Sequence, residues 1–293
     1  MAKLTIPDLW AMAEAGTPLS MITCYDYPSA RLVDAAGVDI VLVGDSVAMT
    51  VLGHPNTLPA TMDMMLIFAE AVARGCERAF VLGDMPYMSY QVSVPEAIRN
   101  AGRFMAEAGV DGVKLEGGRN MLDAVRGIVG AGIPVMGHLG LTPQSASAIG
   151  GYRVQGRSAE AALALLDDAL ALEDAGVFAI LLELVPARVA EVISAKVHVP
   201  TISIGSGAGC DGHCQIYHDV IGMFEAFTPR HAKRYAEVGA TLHEALTRFN
   251  AEIKSADYPG PEHSFKIDAD ELRAFMRGAA SRLGAGDIED PVP

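Results

Sequence analysis

Eight short apolar runs punctuate this chain, and helix-like segments separate nearly all of them. DIVLVGDS (39–46), AFVLGD (79–84) and FAILLELV (178–185) are continuous apolar runs, the pattern of strands buried on both faces in a parallel sheet. LSMITCYD (19–26), GVKLEGG (112–118), PVMGH (134–138), PTISIG (200–205) and QIYH (215–218) complete the set. Between them, helical periods cover 29–37, 61–74, 95–108, 120–130, 158–175 and 187–195, with another over 230–249. This alternation means βαβ units. Eight strand candidates in 293 residues favour a closed (β/α)8 TIM barrel over an open doubly wound sheet. The reading is therefore one barrel domain spanning 1–293, preceded by an N-terminal helix in MAKLTIPDLWAMAEAG and ending in a C-terminal arm over 256–293. That arm contains Pro259-Gly-Pro261, a helix over 269–282 and a tail, AGDIEDPVP, expected to be frayed or docked on a neighbouring subunit.

Charge narrows the choice of partners. A formal net charge of -14 argues against nucleic-acid or anionic-membrane binding, both of which need a basic surface. A small anionic substrate would need a local positive focus, supplied by a metal ion or by Lys114. Cys24, Cys76, Cys210 and Cys214 form no disulfide framework, and no apolar run approaches the roughly 18 residues of a membrane span. The expected location is the cytoplasm.

The run at 112–118 is unusual for a buried strand. Side chains alternate faces along a strand, so Lys114 and Glu116 share one side while Val113 and Leu115 share the other. Such residues are seldom buried unless paired, so the strand carries either a structural ion pair or a site. Asp45, Asp84, His138 and Glu183 also sit at or near strand C-terminal ends, where a barrel of this kind builds its active site. Asp45, Asp84 and Glu116 would not all stay ionised close together without a cation, and their hard oxygens suit Mg²⁺ or Mn²⁺. Each aspartate alone is equally explained as a helix N-cap, and His138 alone as a core histidine. Glu183, between Leu182 and Leu184, should have a raised pKa and serve as a base near neutral pH.

Two other motifs are weaker. Gly205-Ser-Gly-Ala-Gly209 has the glycines of an anion-cradling turn but matches no nucleotide fingerprint. Cys210-Asp-Gly-His-Cys214 with His218 only loosely resembles a zinc-ligand spacing.

MITCYD (21–26), VGDS (43–46), GHPNTLP (53–59), VKLEG (113–117), GHLGLTPQ (137–144) and GPEHSF (260–265) together resemble the ketopantoate hydroxymethyltransferase family over nearly the whole chain. The resemblance implies a barrel like that of the phosphoenolpyruvate mutase and isocitrate lyase group, assembled as a homodecamer of two pentameric rings. It implies transfer of a hydroxymethyl group from 5,10-methylenetetrahydrofolate, the co-substrate, to 3-methyl-2-oxobutanoate, giving 2-dehydropantoate on the route to pantothenate. Asp45 and Asp84 would hold one Mg²⁺ per subunit, with Glu116 in the same shell directly or through water. Asp45, Ser46, Asp84 and Lys114 would surround the keto acid. Glu183 would be the base, with Lys114 and His138 beside the reacting centre. The chain departs from the family pattern at Met85 and Tyr87, at Ser206 in the glycine loop, and at Asp211-Gly-His213. Competing readings are a metal-dependent keto-acid lyase or mutase on the same barrel, and a catalytically silent barrel that binds a keto acid.

Overall fold

The computed structural model describes residues 2–223 and 229–283. Eight parallel strands close into a barrel in sequence order. They are β1 (Leu19–Thr23), β2 (Ile40–Val43), β3 (Phe80–Asp84), β4 (Gly112–Glu116), β5 (Val135–Gly140), β6 (Ala179–Glu183), β7 (Thr201–Ile204) and β8 (Gly212–Gln215). The helices are α1 (Ile6–Glu14), α2 (Tyr27–Ala35), α3 (Val47–Thr50), α4 (Met62–Gly75), α5 (Val94–Arg103), α6 (Leu122–Gly130), α7 (Ala159–Asp174), α8 (Ala187–Ser194), α9 (Tyr217–Val220), α10 (Val238–Ser255) and α11 (Ala269–Leu283). Two compact units result, Met1–Gly239 and Ala240–Pro293. The barrel belongs to the first. The segment expected as an arm from 256 falls in the second, and the tail AGDIEDPVP lies outside the described residues.

Strand alternation sorts the apolar residues into two cores. Leu19, Met21, Ile40, Leu82, Met136 and Ile202 fill the barrel interior, where Leu9 of α1 joins them from the N-terminal end. Trp10 Nε1 fixes α1 there by donating to the Phe178 carbonyl at 2.9 Å. Val41, Val81, Val113, Leu115, Ile180 and Leu182 point outward into the layer between strands and helices. Each such side chain contributes about 1.5–3 kcal/mol on burial, so the register that satisfies both cores is strongly selected. It also decides that Lys114 and Glu116 point inward.

Polar caps start the flanking helices where the strands hand over. The side chains of Asp26, Thr61, Ser93 and Ser158 accept the N–H of Ser29, Met64, Glu96 and Ala161. The expected helix over 95–108 changes character at its end, where Phe104–Ala108 is a π-helix closed by Gly109 at φ 71°. The Phe104 ring covers Gly83, whose added Cβ would lie 2.4 Å from Cδ1, so only glycine fits immediately before Asp84.

The eighth strand differs from the expectation at 215–218. It is Gly212–Gln215 that pairs with β1 and β7, while Tyr217 and His218 lie in α9. Ile216-Tyr-His has the apolar character of a strand, but Tyr217 N donates to Thr23 Oγ1 at 3.0 Å and the chain turns helical. Gly212 allows the close approach to β1, because an added Cβ would sit 2.5 Å from the Leu19 carbonyl oxygen.

Candidate active site

A cavity of about 650 Å³ opens at the C-terminal ends of the strands. Asp45, Ser46, Asp84, Lys114, Glu116, His138 and Glu183 all line it. The seven residues singled out in the sequence therefore meet in one place. Each arrives by the same route: the last inward-facing position of a strand, or the first residues beyond it.

Lys114 is 3% exposed, and its Nζ lies 2.8 Å from Asp84 Oδ1 and 3.2 Å from His138 Nδ1. The carboxylates decide its protonation: burial opposes the ammonium, yet Asp84, Glu116 and Asp45 outweigh it and push the pKa up. An ammonium has only hydrogens to offer, so His138 Nδ1 is an acceptor and the ring hydrogen resides on Nε2. That nitrogen lies 3.2 Å from Glu183 Oε2. Burial, followed by the charge of Lys114, holds the His138 pKa well below its usual value, so the ring is neutral.

The carboxylates are out of balance with the cations. Asp45 N donates to Asp84 Oδ2 at 3.0 Å, which brings the two strand ends together. Burial, and then Asp84, pushes the Asp45 pKa up to about 7. Glu116 is raised well above its ordinary value by burial and then by Asp45, and its Oε1 has no hydrogen-bond partner. Glu183, with a side chain 17% exposed toward the cavity, is pushed up to about 7 by burial, against the opposing charges of Lys114 and His231. A single lysine thus faces Asp45, Asp84, Glu116 and Glu183.

Among the described residues, no group of three or more His, Cys, Asp or Glu side chains is placed to hold a metal ion by itself. A hard divalent ion does not require such a group, since Mg²⁺ is commonly held by one or two carboxylates with water and substrate oxygens. The unpartnered Glu116 oxygen and the excess of negative charge fit such an ion.

Ser46 stands at the N-terminus of α3, with its hydroxyl 2.8 Å from Tyr25 Oη. Residues that offered no signal of their own in the sequence complete the acidic end. Gln144 Nε2 donates to Asp45 Oδ2 at 3.0 Å, and Gln144 N donates to Glu116 Oε2 at 3.0 Å. Tyr90 donates to Gln144 Oε1 at 2.8 Å. Gln144 ends a stretch that resembles the family and Tyr90 lies outside those stretches, but an uncharged loop residue becomes visible as a site member only once the strands are assembled.

The weaker motifs do not become sites. The Ser206 N–H is already given to Ser203 Oγ at 3.0 Å, and an added Cβ on Gly207 would meet Ala187 Cβ at 2.5 Å, so the glycine loop is built for packing. His213 and Cys214 are adjacent on β8, one exposed and one buried inside the barrel, which separates them as metal ligands.

Fold and cavity together define a (β/α)8-barrel enzyme whose mouth pairs a buried lysine and a neutral histidine with an excess of carboxylates. The model of ketopantoate hydroxymethyltransferase matches residues 3–261, and the chain belongs to that family. A curated relative from Carboxydothermus hydrogenoformans, named 3-methyl-2-oxobutanoate hydroxymethyltransferase, is 51% identical over 267 residues, covering 91% of this chain and 97% of the relative. One of the same name from Nitratidesulfovibrio vulgaris (strain DP4) is 50% identical, covering 95% of this chain and 91% of the relative. Among solved structures, phosphonopyruvate hydrolase superposes with a TM-score of 0.60 at 13% identity, covering 97% of this chain and 99% of that one. Its complex with oxalate and Mg²⁺ gives 0.56 at 13% identity, covering 96% and 99%. 2,3-Dimethylmalate lyase, described as a PEP mutase/isocitrate lyase superfamily member, gives 0.54 at 14% identity, covering 94% and 98%. At such identities the likeness establishes the fold, and it is the fold expected from the sequence.

Proposed function

We propose that this chain transfers a hydroxymethyl group from 5,10-methylenetetrahydrofolate to 3-methyl-2-oxobutanoate, giving 2-dehydropantoate for pantothenate synthesis. The observation that carries the reading is Glu183, a carboxylate with a pKa near 7 that faces the cavity beside His138. It stands in a chain whose relatives bear the name of that transferase.

The keto acid's carboxylate and carbonyl oxygens enter a mouth lined by Lys114 and Ser46. Lys114 directs two of its three N–H groups to Asp84 and His138, leaving the third for a substrate oxygen. Asp45 and Asp84 would hold a divalent cation, with Glu116 contributing. That ion, Mg²⁺ in the oxalate complex of a protein of the same fold, supplies positive charge to the keto acid's oxygens as negative charge develops there. Glu183 takes the proton from C3, and its group stays close enough in pKa to water chemistry near neutrality to accept and release that proton. His138 Nε2 lies 3.2 Å from Glu183 Oε2 without making a hydrogen bond in this geometry, close enough for the neutral ring to steady the carboxyl group. The carbanionic C3 bonds to the methylene carbon of the folate, both C–N bonds to that carbon break, and a water molecule supplies the hydroxyl group of the product and the proton that returns to the folate nitrogen. The expected assembly is a homodecamer.

The test supplies purified protein with 3-methyl-2-oxobutanoate, Mg²⁺ and 5,10-methylenetetrahydrofolate, and follows 2-dehydropantoate by mass spectrometry. Product that requires the folate supports the transferase. Turnover of the keto acid without folate would instead support a lyase or mutase.

A further inference from the structure

Gln144 is 5% exposed and uncharged, and nothing in the proton transfer requires it. Its polar groups nevertheless converge on the acidic end of the cavity. Nε2 donates to Asp45 Oδ2 at 3.0 Å and to the Met85 carbonyl at 2.9 Å. Oε1 accepts from the Tyr90 hydroxyl at 2.8 Å and from Gln91 Nε2 at 3.2 Å. The backbone N–H donates to Glu116 Oε2 at 3.0 Å.

The surroundings dictate which way the amide points. The Met85 carbonyl only accepts, so the nitrogen must face it, and the second hydrogen on that nitrogen then meets Asp45. On the other side, the Tyr90 hydroxyl oxygen accepts the Glu116 N–H at 3.1 Å and has a single hydrogen to give, for which Gln144 Oε1 at 2.8 Å is nearer than the Glu116 carbonyl at 3.2 Å. A flipped amide would set a donor against Gln91 and an oxygen against both Met85 and Asp45. One residue thus engages carboxylates delivered from β2 and β4, taking a single oxygen of each. Oδ1 of Asp45 and Oε1 of Glu116 are the oxygens it leaves, and Glu116 Oε1 accepts no hydrogen bond, its neighbour His138 Nδ1 lying 3.7 Å away.

We propose that Gln144 is a positioning residue, which holds Asp45 and Glu116 so that each turns its remaining oxygen to a divalent cation, with Tyr90 fixing the amide's direction. This rests on the reading that the cavity takes such an ion. Groups behind metal ligands typically change metal affinity by about 10–100-fold when removed. Filling space or satisfying the loop would require neither contact with the carboxylates nor a fixed amide.

The test is Mn²⁺ titration of the metal-free protein by calorimetry and electron paramagnetic resonance, beside a thermal melt of each metal-free variant. Gln144→Met keeps the length and removes the side-chain donors to Asp45 and Met85, leaving the backbone N–H on Glu116 in place. The expected result is Mn²⁺ affinity about 10–100-fold weaker, with folded protein by the melt and turnover regained when Mn²⁺ is raised to saturation. Tyr90→Phe, which keeps the ring, should weaken binding in the same direction, and the double variant should lose less than the sum. If Gln144→Met does not fold, Tyr90→Phe alone decides. Wild-type affinity in the folded variants would overturn the positioning role and leave the metal reading intact. Failure of the wild-type protein to bind Mn²⁺ would overturn both.

Discussion

Glu183 shows how environment sets chemistry at a single residue. Its carboxyl is raised from 4.5 to about 7 because burial penalises the anion more than Lys114 and His231 favour it. A base must be deprotonated to work, so kcat/KM of the Mg²⁺-loaded protein should rise with pH along a limb whose midpoint lies above the ordinary carboxylate range. An acidic limb centred near 4.5 would contradict this origin of basicity. Glu183, Lys114 and Glu116 were readable from the sequence because strand alternation tells which residues share a face, and barrel topology tells which strand ends share a mouth. Gln144 and Tyr90 were not readable as site members in that way. Loop residues obey no period, and a glutamine becomes informative only when Asp45 and Glu116 are seen on either side of it.

At the level of elements, the proposed base closes β6, and the backbone of the turn that follows it is under constraint. Leu184, directly after Glu183, has φ 46°, a left-handed conformation that costs a non-glycine residue about 1–2 kcal/mol. Ser206 spans the turn. Its hydroxyl donates to the Leu182 carbonyl at 2.8 Å and accepts the Val185 N–H at 2.9 Å, tying both flanks of Leu184 to the loop after β7. Ser206→Ala leaves the Val185 N–H buried without this partner and should cost about 1–3 kcal/mol in urea unfolding. It should also lower kcat by about tenfold while KM changes little, since a loosened turn misplaces Glu183 rather than the oxygens that bind substrate. Unchanged kcat would mean the clamp serves stability alone. The strands themselves were plain in the sequence because they are buried on both faces. β8 was displaced in the reading because its segment, Gly212 to Gln215, mixes glycine with polar residues, and the more apolar segment beside it forms α9.

For the whole molecule, the surplus of buried carboxyls makes stability depend on both pH and cation. Asp45 and Glu183 each have a folded-state pKa near 7, above their ordinary values of 3.8 and 4.5. Their contribution to stability is therefore complete below about pH 4 and is lost as pH rises through 7. A cation that requires the deprotonated carboxylates should restore stability mainly at the higher pH. Urea unfolding of metal-free protein should accordingly show a larger gain from added Mg²⁺ at pH 8 than at pH 5.5. Equal gains would contradict the assignment of the cation to this cluster. No helix among the described residues is long and apolar enough to cross a membrane. In the proposed reaction, Glu183 removes the C3 proton of 3-methyl-2-oxobutanoate. Proton NMR of that keto acid in D₂O tests it directly, with wild-type protein and with Glu183→Gln, each with Mg²⁺ and tetrahydrofolate present. Loss of the C3 proton signal with wild-type protein, abolished in Glu183→Gln and by EDTA, is the result predicted here. Exchange that persists in Glu183→Gln, or none with the wild-type protein, would contradict it.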